Sequence, residues 1–153
     1  MARQAREPAL SLVLQVPAAE PLEAQSHFID KLSFETDPSD VHADLGKGAG
    51  GFLVLDCRRP EQYAEGHIPG ALNLPYRTIS PDGTAHLPKD KTLVTYCSSW
   101  HCNASTKAAL QLSALGFRVK EMLGGIAAWK DEGYAVELGP GAGVLPKAKL
   151  ARI

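Results

Sequence analysis

This chain of 153 residues has no long apolar run, no excess of acidic or basic residues and few cysteines. No apolar stretch approaches the roughly 20 residues of a membrane helix, so no membrane partner is expected. The 16 basic and 17 acidic residues nearly balance, which gives no attraction to nucleic acid. Three cysteines do not make a disulfide framework, and their spacing is not that of a zinc site. The composition therefore predicts a globular protein of the reducing cytoplasm.

What is present is an alternation of strand and helix patterns. Continuous apolar runs predict buried strands, and apolar residues three and four positions apart predict helices. The predicted strands are 33–36, 52–56, 71–74, 93–96 and 118–123, and the predicted helices are 24–32, 37–46, 60–66, 103–116 and 126–132. Strands that alternate with helices favour an α/β fold with a mainly parallel sheet flanked by helices.

The two ends of the chain differ from this middle part. Residues 1–23 are interrupted by prolines and predict a loosely ordered leader rather than a secretory signal. Ordered structure is predicted for residues 24–138, with Phe28, Ile29 and Leu32 facing inward from the first helix. Residues 139–153 begin with a glycine-rich run and predict a flexible tail.

Cys97 stands where a buried strand ends and a short loop leads into a helix. The first amide groups of a helix lack partners and carry partial positive charge, so a thiol placed there is expected to ionise more easily. In α/β sheets, ligands bind beyond the carboxyl ends of the strands, which is where Cys97 lies. The alternative is an ordinary buried cysteine, because free cysteine also packs well in a core.

Three groups of residues resemble, in this order, the signatures of rhodanese-like sulfurtransferase domains. They are 55–58 with 60–63 and 66–71, then Tyr96 and Cys97 before a loop and helix, then 123–126 with Trp129 and Gly133. Together these motifs occupy residues 45–138. The resemblance implies a doubly wound α/β domain in which Cys97 carries a persulfide, with no metal or other cofactor.

The resemblance also implies the chemistry. The Cys97 thiolate takes sulfur from a donor, either thiosulfate or an organic or protein persulfide, and passes it to cyanide, a thiol or a protein acceptor. The backbone amides of the loop would hold the negatively charged sulfur. The loop residues are Ser98, Ser99, Trp100, His101, Cys102 and Asn103.

This loop departs from the family pattern. It is one or two residues longer than usual and lacks the arginine or lysine that many active members have there, and His101 supplies charge only when protonated. Two other interpretations therefore stay open. One is a catalytically weak sulfur-binding or interaction module, and the other is a phosphatase or arsenate reductase, for which an arginine that binds the oxyanion is missing.

Three further residues near Cys97 have two interpretations each. Cys102 is either a resolving thiol or a residue that packs beneath the helix and never meets Cys97. Asp56 and Arg58 are interpreted as a structural pair at a strand end, with contact to the site as the alternative.

Overall fold

A computed structural model of the protein describes residues 9–140; the first of its two compact units ends at Lys31 and the second begins at Leu32. The elements are α1 (Pro21–Phe34), β1 (Glu35–Thr36), α2 (Pro38–Lys47), β2 (Phe52–Asp56), α3 (Pro60–Glu65), β3 (Leu72–Asn73), a 3-10 turn (Tyr76–Thr78), β4 (Thr92–Tyr96), α4 (Ala104–Ala114), β5 (Arg118–Met122) and α5 (Gly125–Asp131). The strands form one parallel sheet in the order β1, β5, β4, β2, β3. The predicted α/β class with a parallel sheet is confirmed.

Both faces of the sheet are covered, which makes the fold doubly wound. On one face, Val41 of α2 and Trp129 of α5 pack with Val54 and Val94 of the two central strands. On the other face, Leu112 of α4 packs with the neighbouring residues of the same two strands, Leu55 and Leu93. Because the sheet is covered on both sides, the central strand β2 carries a continuous apolar run, residues 52–55, rather than an alternating one.

Local signals in the sequence begin helices α2 and α3 as predicted. Helix α2 begins after Asp37, whose side chain accepts a hydrogen bond of 2.8 Å from the amide of Asp40. It ends at Gly48, which adopts the left-handed conformation that glycine permits. Pro60 occupies the first turn of α3, where a missing N–H group costs nothing.

The prediction for the first helix was wrong in two respects. Helix α1 begins at Pro21 and continues through Phe34, so the strand that follows it is only Glu35–Thr36. Phe28, Ile29 and Leu32, which were expected to face inward, are 57%, 58% and 71% exposed. Helical spacing shows that such residues share one side of a helix, but it does not show whether another element covers that side.

The limits predicted for the leader and the tail stay predictions. Within the predicted leader, residues 9–20 form neither helix nor strand, and residues 1–8 lie outside the described part of the chain. Residues 141–153 of the predicted tail also lie outside it. Among residues 9–140, no helix has the length and apolar character to cross a membrane.

Candidate functional site

Cys97 directly follows β4, at the carboxyl end of the central strand, and is 2% exposed. The first turn of α5 holds the chain at this point. The amide of Ile126 donates to the carbonyl of Cys97 at 2.9 Å, and the amide of Ala127 donates to the carbonyl of Ser98 at 3.0 Å. The positions of the cysteine and its loop therefore depend on the amino-terminal amides of a helix that comes later in the chain.

Gly125 makes this close approach of α5 possible. It has φ +62°, and a Cβ atom there would overlap the carbonyl oxygen of Cys97 and lie 2.7 Å from the carbonyl carbon of Ser98. Both neighbours are backbone atoms, which cannot turn away as a flexible side chain can. The glycine pair 124–125 is thus a packing requirement of the site.

We expect Gly125→Ala to lower the free energy of unfolding by about 2 to 4 kcal/mol, because the left-handed conformation and the forced backbone shift both cost free energy. Denaturant unfolding measures the loss. Gly133→Ala is the matched control, since Gly133 has φ +80° but open space around its Cβ position. Equal losses in both variants would show that the contact with Cys97 contributes nothing.

The thiol of Cys97 lies among polar groups. Its Sγ is 3.2 Å from the carbonyl oxygen of Cys102 and 3.3 Å from Oγ of Ser105. Ser105 donates to the carboxylate of Glu121 at 2.7 Å, and Thr106 donates to the same oxygen at 2.6 Å. A carboxylate on β5 is therefore one hydroxyl group away from the candidate nucleophile.

These groups share a cleft of about 400 Å³. Its lining consists of the loop, the first turn of α4 and the end of β5 with the glycine turn: Cys97, Ser99, Trp100, His101, Cys102, Asn103, Ser105, Thr106, Glu121, Met122, Leu123, Gly124 and Gly125. Five of the six predicted loop residues line it, and Ser98 does not. Trp100 and His101 are exposed at the mouth.

The two thiols of the cleft have opposite tendencies to ionise. Burial raises the pKa of Cys97, and hydrogen bonds from the hydroxyl and amide of Ser105 only partly offset this. Partial burial also raises the pKa of Cys102, but bonds from the amides of Ala104 and Ser98 and from the Cys97 thiol outweigh it and the net shift is downward. The expectation that Cys97 itself ionises easily was therefore wrong, because burial outweighs the hydrogen bonds with Ser105.

The predicted cradle of loop amides is also only partly formed. The amide of Cys102 donates to the Ser99 carbonyl at 3.1 Å, and the amide of His101 points to the Ser99 hydroxyl at 3.3 Å. This turn within the loop uses two of the donors that were expected to hold the sulfur. Asn103 is the N-cap residue of α4, but its side chain accepts no hydrogen bond from the helix amides.

Asp56 and Arg58 form a buried ion pair outside the cleft lining. Nη2 of Arg58 is 2.7 Å from the Asp56 carboxylate and 2.6 Å from the carbonyl of Gly66. The Tyr96 hydroxyl donates to the same carboxylate at 2.7 Å. Burial and the nearby Asp56 raise the pKa of Tyr96, so this phenol stays protonated and remains a donor. The geometry supports the structural interpretation of the pair.

The cleft also contains Ser105, Thr106 and Glu121, which were not predicted from the sequence. The signal for Glu121 was available in principle, because the parallel register places it beside Thr95, two residues before Cys97. A polar residue near the end of a strand that neighbours the cysteine strand is a candidate for the site. Using that signal required the order of the strands, which the sequence alone did not supply.

Comparison with known proteins agrees with this arrangement. The model of the rhodanese-like domain matches residues 37–132. A sulfurtransferase of Allochromatium vinosum is 38% identical over 84 residues, which are 55% of this chain and 77% of that protein. The HTH-type transcriptional regulator Rv0324 of Mycobacterium tuberculosis is 34% identical over 95 residues, but the match spans 62% of this chain and only 42% of the regulator.

A solved structure is similar over most of the chain. The BH2092 protein of Bacillus halodurans superposes with a TM-score of 0.77 and 43% sequence identity, covering 86% of this chain and 99% of that one. The family model includes the central strands, the cysteine loop and the α5 turn that holds it. The chain therefore belongs to the family of rhodanese-like domains.

Proposed function

We propose that the protein is a sulfurtransferase that carries sulfane sulfur as a persulfide on Cys97. The observation that carries this proposal is a thiol that lines a cleft at the carboxyl end of the central strand, with its backbone held by α5. The related protein named a sulfurtransferase supports the same class of reaction.

The reaction has two steps at one sulfur atom. The Cys97 thiolate attacks the outer sulfur of the donor, the donor's S–S bond breaks, and the donor leaves as sulfite or as a thiolate. A nucleophilic acceptor then attacks the outer sulfur of the Cys97 persulfide, and the Cys97 thiolate leaves. Because burial disfavours the Cys97 thiolate at rest, the first step requires loss of the thiol proton. The backbone amide of Ser105 stabilises the anion that forms, while the Ser105 hydroxyl donates to Glu121.

The charges of the cleft favour a donor with less negative charge than the thiosulfate dianion. Among the described residues, those that line the cleft include no lysine or arginine, and Glu121 contributes a carboxylate. A dianion that approaches Cys97 meets this charge at close range, where the dielectric screening is weaker than in water. The exposed ring of Trp100 offers apolar surface to an organic or protein persulfide instead.

We expect Glu121→Gln to raise kcat/KM for loading by thiosulfate about tenfold, because removing one nearby negative charge relieves repulsion worth about 1 to 2 kcal/mol. The amide oxygen of glutamine can still accept from Ser105 and Thr106. An organic persulfide, whose outer sulfur carries at most one negative charge, should load at a rate changed less than about threefold.

Glu132→Gln is the control, since it removes the same charge from an exposed position outside the cleft. The rates of sulfur loading with each donor provide the measurement. The same change with both donors, or the same gain in the control variant, would contradict a local effect of charge on the choice of donor.

The test of the function is the mass of the intact protein after incubation of the reduced wild type with thiosulfate, and separately with an organic persulfide. We expect a gain of one sulfur atom, located on Cys97 by peptide mapping and discharged by cyanide or a thiol. No gain with either donor, in protein shown to be folded and reduced, would overturn the proposal in favour of a binding module.

The sulfur-binding module stays the second candidate because, among the described residues, no lysine or arginine lines the cleft, and because burial raises the pKa of Cys97. Turnover separates the two, since a module would take up sulfur without repeated transfer. A phosphatase or arsenate reductase has less support, because no guanidinium group lines the described cleft to bind an oxyanion through two hydrogen bonds.

A further inference from the structure

A second thiol lies in the same cleft as Cys97. The turn from Ser99 to Cys102 folds the loop back, so that the carbonyl oxygen of Cys102 is 3.2 Å from Sγ of Cys97. The two thiols are also close enough to influence each other's ionisation. The shared cleft favours the interpretation of Cys102 as a resolving thiol.

The third cysteine has a different place. Cys57 is buried in the core cluster on the α4 face of the sheet, with its thiol directed to the carbonyl of Leu55, and it does not line the cleft. Cys102 is therefore the thiol of the chain that is positioned to react with a group on Cys97.

The surroundings of Cys102 favour its thiolate. The amides of Ala104 and Ser98 and the charge of Lys107 all stabilise the anion, and they outweigh the partial burial that raises its pKa. A thiolate beside a persulfide is the reactant pair of thiol–disulfide exchange.

We propose that Cys102 resolves the Cys97 persulfide, forming a Cys97–Cys102 disulfide and releasing hydrogen sulfide; this rests on the proposed function. The Cys102 thiolate attacks the inner sulfur of the persulfide, the bond between the inner and outer sulfur breaks, and the outer sulfur leaves as hydrosulfide. The two cysteines are oxidised and the outer sulfur is reduced, so the step needs no added oxidant. A dithiol reductant returns the enzyme to its starting state.

This step adds a second outcome to the reaction. In the presence of a good acceptor, sulfur is transferred to that acceptor. In its absence, the loaded enzyme releases the sulfur as sulfide and forms the Cys97–Cys102 disulfide. With a dithiol present, the protein turns a sulfane donor into free sulfide. Attack on the outer sulfur is the competing path, and it would move the persulfide to Cys102 without releasing sulfide.

The experiment uses the full chain, loaded with an organic persulfide and freed of excess donor, without acceptor or reductant. Released sulfide and intact mass are followed together. We expect about one sulfide for each loaded protein, a final mass two hydrogens below that of the reduced protein, and a Cys97–Cys102 cross-linked peptide. Cys102→Ser should keep its persulfide, release no sulfide and still yield its sulfur to cyanide, while Cys57→Ala behaves as the wild type.

Three results would overturn the proposal. They are a wild-type persulfide as stable as that of Cys102→Ser, a persulfide that maps to Cys102, and failure of a glutathione redox buffer to form the Cys97–Cys102 disulfide in folded protein. A different result concerns the proposed function: if neither the wild type nor Cys102→Ser acquires sulfur, sulfur transfer itself is excluded, and sulfide release with it.

Discussion

Turnover with any sulfane donor is expected to fall at least about 10³-fold when Cys97 is replaced by serine, because removing a covalent nucleophile leaves only substrate binding. A serine hydroxyl is not ionised near neutral pH and is a poor nucleophile toward sulfur. The replacement is nearly the same size, so the buried position after β4 should still be filled. The loss is therefore chemical and should leave the unfolding midpoint almost unchanged.

The measurement is thiocyanate formation from thiosulfate and cyanide, together with sulfur transfer from an organic persulfide to a thiol. Cys57→Ala is the matched control, since Cys57 is as buried as Cys97 but lies in the core rather than the cleft. It should keep its activity if it stays folded. Retention of more than about a tenth of the activity in Cys97→Ser would assign the persulfide to another residue.

The largest expected loss of stability follows from replacing Arg58 with methionine. Asp56 is fully buried, and its carboxylate is held by the Arg58 guanidinium and the Tyr96 hydroxyl. Without the guanidinium, a carboxylate is left in the protein interior with two neutral donors, the Tyr96 hydroxyl and the backbone amide of residue 58. We expect the free energy of unfolding to fall by about 3 to 5 kcal/mol, as for other buried pairs that lose one partner.

The double variant Asp56→Asn with Arg58→Met serves as the control for this prediction. Asparagine still accepts from Tyr96, and no charge is left buried, so much of the lost stability should return. Urea unfolding of the single and double variants, compared with the wild type, gives the coupling directly. A loss below about 1 kcal/mol in Arg58→Met would show that water or another group compensates Asp56.

The sequence was sufficient for the parts of the fold that are determined locally. The apolar run 52–56 is β2, and the cap at Asp37 and the proline at position 60 begin the helices that follow them. Whether the apolar side of α1 is buried could not be predicted in the same way. The burial of Phe28 and Ile29 depends on what lies opposite them, and helical spacing carries no information about that.

The same limit applies to the site. The local sequence pattern was enough to place Cys97 at the end of a strand. The sequence motifs were enough to predict the family, which the comparisons confirmed. Which thiol ionises more easily did not follow, because it depends on how the folded loop buries Cys97 but leaves Cys102 only half-buried. Glu121 was missed for a related reason, since only the strand order brings it to Ser105.

The pairing of β1 with β5 joins distant parts of the chain. Glu35 lies opposite Glu121 in the register, so that edge of the sheet closes only when residues near both ends of the domain are available. Helix α5, which holds the backbone of Cys97, comes later still. During synthesis on a ribosome, which proceeds at about 5 to 20 residues per second, the segment 92–97 is made seconds before its partners. The backbone of Cys97 therefore gains its partners only after nearly the whole domain has been made, so a chain stopped before α5 would contain the cysteine without its site.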